Sequence, residues 1–186
     1  MNRGLEYYTL FLNGDNESFA ELVSLYNERL ILFIFGIVKD FATAEDLAAD
    51  TFVKLLVKKP AFKQESGFKS WLFRIARNLS IDYLRHQQKQ VFVSLDEAEQ
   101  SFFQYCQNAE QTVIQEETNK NIHAILLRLP DQYRSVLNLL YFEDMNYKQV
   151  AKIMRWSEKK VKNTAYNARK AAKELMIKEG IEYEIK

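Results

Sequence analysis

Cysteine, proline and glycine are scarce in this chain: one, two and five among 186 residues. A single cysteine, Cys106, excludes an intramolecular disulfide and a cysteine-built zinc site, and no redox role is expected of it. Few glycines and prolines leave few places to turn, so long helices are expected rather than a many-turned β architecture. Only the short run Val91–Val93 alternates as a strand would. The two histidines, His86 and His123, lie far apart and lack neighbouring ligands; His86 is expected to extend a basic helix and His123 to be a partly exposed helix residue. There is no phosphate-cradling glycine loop and no catalytic constellation, so neither enzymatic activity nor a cofactor or metal is expected. No apolar run approaches the roughly 20 residues of a membrane span. The start, MNRGLEYYTLF, is charged and polar too early for a secretory signal. The expected location is the cytoplasm, without membrane insertion.

A net charge of +1 conceals a strong segregation. Residues 1–89 carry 12 Lys/Arg and 11 Asp/Glu, residues 90–119 six Asp/Glu and no Lys/Arg, and residues 120–186 14 Lys/Arg and eight Asp/Glu. Residues 54–89 hold nine basic residues against Glu65 and Asp82, and residues 148–173 hold nine against Glu158. Two basic modules flanking an acidic connector suggest two contacts with a polyanion. The plain alternative for the connector is a soluble spacer.

Along the chain, residues 3–12 read as a short helix closed by Asn13-Gly14, and Asp15 can cap the next one. Phe19, Leu22, Val23, Tyr26, Leu30, Phe33 and Ile37 recur at helical spacing and form the expected centre of the first module. Thr43, with Asp46 three residues on, predicts the cap of a third helix, whose buried side is Leu47, Phe52, Leu55 and Leu56. Glu45, Asp46 and Asp50 leave that helix acidic near its start. The residues alone read this as favourable charge at the positive end of a helix dipole, with a docking surface as the alternative. Residues 58–67 read as a loop leading into a helix over 68–89. There Leu72, Ile75, Ala76, Leu79 and Tyr83 predict the inner face. Ser70, Arg74, Arg77, Asn78, Arg85 and Gln88 predict the outer face, with Ile81 the one apolar intruder. Guanidinium forks and amides suit phosphate oxygens and base edges.

Within the connector, Ser94 to Glu99 predicts a short helix, and Phe102, Phe103 and Tyr105 follow no clear period. The second module starts near Asn121. Ile122, Ile125, Leu126 and Leu129 mark a helix, and Asp131 starts another that buries Tyr133, Val136, Leu137, Leu140 and Tyr141. Asn146 caps Tyr147–Met154, Arg155-Trp156-Ser157 is a turn, and Ser157 caps a last helix with Val161, Ala165, Ala168, Ala172 and Leu175 inward. Helix, three-residue turn and basic helix, with small Ala151 at the close approach, is a helix-turn-helix pattern. The tail IKEGIEYEIK forms a last turn or frays.

The strings SFAELVSLYNERL, TAEDLAADTFVKLL and FKSWLFRIARNLSIDYLR resemble region 2 of sigma-70-type transcription initiation factors, in the small extracytoplasmic-function (ECF) group. LPDQYRSVLNLLYFEDMNYKQVAKIMRWSEKKVKNTAYNARK resembles region 4. The resemblance implies an all-α protein of two small helical domains: region 2 over 1–89, an acidic linker over 90–119, region 4 over 120–179, and a tail over 180–186. It implies a dissociable subunit, without its own catalytic site, that brings core RNA polymerase to promoters and helps open them. By resemblance Asp46 and Asp50 dock on the clamp coiled coil of the largest polymerase subunit, although Ala49 replaces the family's usual glutamine. Phe68, Lys69 and Asn78 are implied for a pocket holding a flipped base of the single-stranded −10 element. Trp71 lines the pocket or anchors the core, and Arg74, Arg77 and Arg85 neutralise phosphates. Lys160, Lys162, Asn163, Tyr166 and Asn167 face double-stranded −35 DNA, with Lys159 and Lys170 on phosphates. The linker is implied to thread the RNA exit path, and an anti-sigma factor is a further partner the family often uses.

Asn163-Thr164 stand where the family commonly has Ser-Arg, Asn167 where it has Arg, and Arg155 where it has Gly. Asparagine amides favour adenine, so a less guanine-directed −35 preference is expected. Two other readings stay open: a helix-turn-helix regulator acting without polymerase, and a helical protein-interaction scaffold.

Overall fold

A computed structural model describes residues 3–87, 95–108 and 117–180, all helices and short connections. The Val91–Val93 expectation, the Cys106 and Phe103 side chains and most of the tail lie outside the described residues. Among the described residues there is no strand. The chain divides into two compact units, one of residues up to Phe92 with Lys152–Met154 counted among them, and one of the remainder from Val93 on.

The first unit holds α1 (Gly4–Leu12), α2 (Glu17–Val38), α3 (Phe41–Lys58) and α4 (Glu65–Gln87). Asp15 accepts from the backbone N–H of Glu17 at 3.0 Å and from the Ser18 hydroxyl at 2.5 Å, which organises the start of α2. Helix α2 is central: Leu22, Tyr26 and Leu30 are fully buried, and every residue from Ile31 to Val38 is buried. A segment apolar on all sides has no other stable place. Lys39 ends it in the left-handed conformation at φ 65°, its N–H returning to the Phe35 carbonyl at 2.9 Å. Asp40 then caps α3, accepting from the Thr43 N–H at 2.7 Å. The predicted cap, Thr43, is therefore displaced by Asp40, whose extended backbone (φ −133°) aims its carboxylate at the free N–H groups.

Helix α4 starts at Glu65, three residues earlier than the spacing predicts. Glu65 explains the extension: its carboxylate accepts from the Leu5 N–H at 2.6 Å and the Tyr26 hydroxyl at 2.9 Å, joining α1, α2 and α4. The inner face of α4 is Phe68, Leu72, Phe73, Ala76 and Ser80, while Ile75 and Leu79 are half-buried. The expected stripe was thus rotated, because Phe73 packs on Phe33 at 5.3 Å and Ser80 can be buried by donating to the Ala76 carbonyl at 2.9 Å.

From Val93 on, the chain forms α5 (Leu95–Asn108), α6 (Glu117–Leu127), α7 (Asp131–Leu137), a π-helical turn over Asn138–Phe142, α8 (Tyr147–Met154) and α9 (Glu158–Lys178). Part of the acidic connector is therefore a helix longer than the sequence suggests. Ala98 and Phe102 on α5 are buried, and Phe102 packs on His123 of α6 with ring centroids 5.8 Å apart. His123 is 8% exposed, not a partly exposed residue as expected; it is covered by Phe102 and by Phe142 at 4.3 Å. The core joins Ile125, Leu126, Leu129 and Leu137 to Ala168, Ala172 and Met176 of α9, with Leu175 only partly buried. Tyr141, expected inside, is 49% exposed, since the π-helical turn shifts the phase of the residues after Leu137. Tyr133 and Leu140 are half-buried.

Arg134 is buried and closes the end of α6: its guanidinium donates to the carbonyls of Leu126, Leu127 and Leu129 at 2.6–2.8 Å and to Asp131 at 2.9 Å. The last carbonyls of a helix need such donors. Burial lowers the pKa of this guanidinium to about 10, which leaves it charged at neutral pH.

Candidate nucleic-acid interface

The turn between α8 and α9 is built from its sequence. Asn146 caps α8 by accepting from the Gln149 N–H at 3.0 Å, and the Gln149 side chain returns to the Asn146 N–H at 2.9 Å. Arg155 ends α8 with φ 56° and ψ 45°, the left-handed geometry for which glycine is the usual residue. Ser157 caps α9 by accepting from the Lys160 N–H at 3.2 Å. Small, buried Ala151, Ala165 and Ala168 fit the tight helix-turn-helix geometry.

With Val161, Ala165, Ala168, Ala172 and Met176 turned inward, the opposite face of α9 is committed to solvent. Lys159, Lys160, Lys162, Asn163, Tyr166, Asn167 and Lys170 are all exposed on this helix. Tyr166, at 65% exposure, is a large ring with no core to enter. Lys160 Nζ sits 4.1 Å from the centre of the Trp156 ring, and Lys162 Nζ 5.8 Å from that of Tyr147. Both ammonium groups are held by aromatic faces that leave their charge uncancelled.

The first unit divides the other candidates. Asp46 and Asp50 are exposed one turn apart on α3. Arg74, Arg77, Asn78 and Trp71 on α4 are half-buried, and Trp71 meets Phe62 edge-on at 6.0 Å. Arg85 is exposed and paired with Asp82 at 3.2 Å. Phe68 and Lys69 do not line a surface pocket in this conformation. Phe68 is fully buried, packed on Tyr8 at 5.4 Å, Phe62 at 5.3 Å and Tyr26 at 5.9 Å. Lys69, next to it, is 5% exposed. An aromatic held on three sides by other rings stabilises the core; freeing it would cost about 3–5 kcal/mol, as truncating a buried Phe does.

An exposed cationic helix behind a tight turn in one unit and an acidic helix beside a basic one in the other fit a helical DNA-binding protein of two modules. Residues 12–90 match Sigma-70 region 2, and residues 119–171 match Sigma-70, region 4. The chain is 35% identical over 156 residues to ECF RNA polymerase sigma factor SigM of Bacillus subtilis, covering 83% of this chain and 93% of that one. It is 32% identical over 162 residues to RNA polymerase sigma factor YlaC of the same organism, covering 87% and 94%. Among solved structures it resembles the sigma factor RpoE in complex with the anti-sigma factor NepR from Bartonella quintana. That match has a TM-score of 0.66 at 23% identity, covering 86% of this chain and 97% of that one. The chain belongs to the sigma-70 family of RNA polymerase sigma factors, in its ECF group. None of the described helices is long and apolar enough to cross a membrane.

Proposed function

We propose that the chain works in the cytoplasm as a non-catalytic initiation subunit, with two surfaces in residues 1–89, a third in residues 120–179 and an acidic connector over residues 90–119. Asp46 and Asp50 on α3 dock on the clamp coiled coil of the largest polymerase subunit. The outer face of α4, with Trp71, Arg74, Arg77, Asn78 and Arg85, takes the single-stranded −10 element. Phe68 and Lys69 support that face from beneath. Lys159, Lys160, Lys162, Asn163, Tyr166, Asn167 and Lys170 on α9 enter the major groove of the −35 element. The acidic connector occupies the RNA exit path, and an anti-sigma factor, as in the RpoE complex, holds the protein in reserve.

One observation carries this reading: a single α9 face bears five lysines and asparagines in a row of exposed positions, Lys159, Lys160, Lys162, Asn163 and Asn167, behind a properly capped turn. Phosphates attract the lysines and give affinity, while the amides read base edges and give choice.

Transcription by purified core polymerase on fragmented genomic DNA, with and without this protein, tests it. Discrete start sites that need the protein are expected, with shared −35 and −10 sequences upstream. No new starts and no co-elution with core polymerase would reject it. Salt-sensitive DNA binding would then indicate a regulator acting alone, and its absence an interaction scaffold.

A further inference from the structure

Arg169 was not among the residues that the sequence assigned to DNA, and its surroundings set it apart from Arg128 and Arg134. Arg128 is paired with Glu179 at 2.6 Å, and Arg134 is buried on three carbonyls and Asp131. Arg169 meets neutral groups instead. Its Nη1 donates to the Tyr141 hydroxyl at 3.2 Å, and the nearby Tyr147 phenol, like that of Tyr141, favours the charged guanidinium. Among the described residues no carboxylate pairs with it. Phenol oxygens fix the direction of a guanidinium without cancelling its charge, and a guanidinium has five N–H donors, so several remain for another ligand.

Its position supplies the ligand's identity. At 100° per residue Lys162, Tyr166, Arg169 and Lys173 fall along one flank of α9. Lys162, Tyr166 and Lys173 are exposed and Arg169 is half-buried. Glu158, at the head of the helix, is the one acid on that line. Tyr147 lies between Lys162 and Arg169: its ring is under Lys162 Nζ and its phenol favours the charge of Arg169. Tyr141 enters from the π-helical turn, whose altered phase brings it outward to 49% exposure. Three cations gathered on one flank with uncharged supports repel one another until an anion lies between them.

We propose that Arg169 is a phosphate-contacting residue of the −35 interface, pre-set by Tyr141 and Tyr147, that clamps the DNA backbone beside the groove entered by α9. The inference rests on the −35 reading above. The phenols hold the fork before DNA arrives, so little side-chain entropy is lost on binding.

Ethylation interference with reconstituted holoenzyme on a promoter mapped by its start site tests this. With the wild-type chain, a defined set of phosphates flanking the −35 element should block binding when ethylated. With Arg169→Gln one or two of those phosphates should drop out while the rest persist. The slope of log affinity against log salt should fall in magnitude by about 0.9 per lost contact. Tyr141→Phe with Tyr147→Phe should keep the same phosphates at several-fold lower affinity, as should Arg169→Lys, which also serves if Arg169→Gln fails to fold. If Arg169→Gln retains every phosphate and the salt slope but melts earlier, Arg169 is only a strut between α9 and the π-helical turn, and the proposal fails. If the wild-type holoenzyme shows no interference near −35 at all, the underlying −35 reading fails and takes this inference with it.

Discussion

Gly4 lies so close to Tyr26 that a methyl group built on it would clash with Tyr26 Cε2 and stand 2.9 Å from Glu65 Oε1. Tyr26 is fully buried and hydrogen-bonded to Glu65, so it has little room to yield. Gly4→Ala should therefore destabilise the protein by about 1–3 kcal/mol. Gly67→Ala is the contrast: it sits in α4 with its nearest foreign atom 4.0 Å away, and should be neutral or stabilising by up to about 1 kcal/mol. Urea midpoints of the two variants measure the difference; equal midpoints would mean that α1 is not docked as described.

His123 should make stability depend on pH. Burial lowers its pKa to about 4 from the usual 6.5. The unfolded chain therefore takes up a proton on this ring more readily than the folded one. Its contribution is complete above pH 6.5 and is lost progressively as pH falls from there to about 4. Between neutral pH and pH 5 the loss from this group is about 2 kcal/mol. His123→Phe should remove that part of the pH dependence, read as the difference between urea midpoints at the two pH values. An unchanged pH profile in the variant would contradict a neutral buried imidazole between Phe102 and Phe142.

Arg155 carries left-handed backbone at φ 56°. A non-glycine residue there costs about 1–2 kcal/mol, and part of the relief is returned through glycine's freer unfolded chain. Arg155→Gly should stabilise by up to about 1 kcal/mol, and Arg155→Val should destabilise, since a branched side chain tolerates this geometry poorly. Thermal melting orders the three proteins; a destabilised glycine variant would show that the arginine side chain contributes more than its backbone costs.

Asp46 and Asp50 are exposed on one side of α3, so reversing their charge should leave folding nearly intact. Asp46→Lys with Asp50→Lys should weaken capture of core polymerase more than tenfold, because like charges brought together across an interface cost several kcal/mol. Co-elution with core polymerase reads this, with the urea midpoint as the control for folding. Undiminished co-elution would place the docking surface elsewhere.

Asn163 and Asn167 should shift −35 choice toward adenine, each well-placed amide contributing about 1–3 kcal/mol of discrimination. Selection from a random pool with holoenzyme checks it. A guanine-rich −35 that is unaffected by Asn163→Ala and Asn167→Ala would overturn the assignment.

Much of this was legible in the chain itself. Asp15, Asn146 and Ser157 announce the helix starts they cap, because a short polar side chain before an apolar period has few other uses. The alanine and valine spacing of 161, 165, 168 and 172 fixes which face of α9 is left for solvent, and with it the exposed lysines and asparagines. Family membership was equally readable, since WLFRIARNLSIDYLR and the helix-turn-helix string are ordered side-chain patterns. Other features depended on neighbours that are distant in sequence. Glu65 reads as a loop charge until Leu5 and Tyr26 arrive to bond it, and Phe68 reads as a base platform until Tyr8, Tyr26 and Phe62 enclose it. Nothing local marks Arg134 for burial on the carbonyls that close α6, and His123 reads as partly exposed until α5 and Phe142 cover it. Helical existence and most caps are local, so the sequence determined them alone, whereas Asp40 in place of Thr43 and the rotated stripe of α4 followed from packing. Desolvation depends on which elements pack on every side of a residue, and only the tertiary structure decided that.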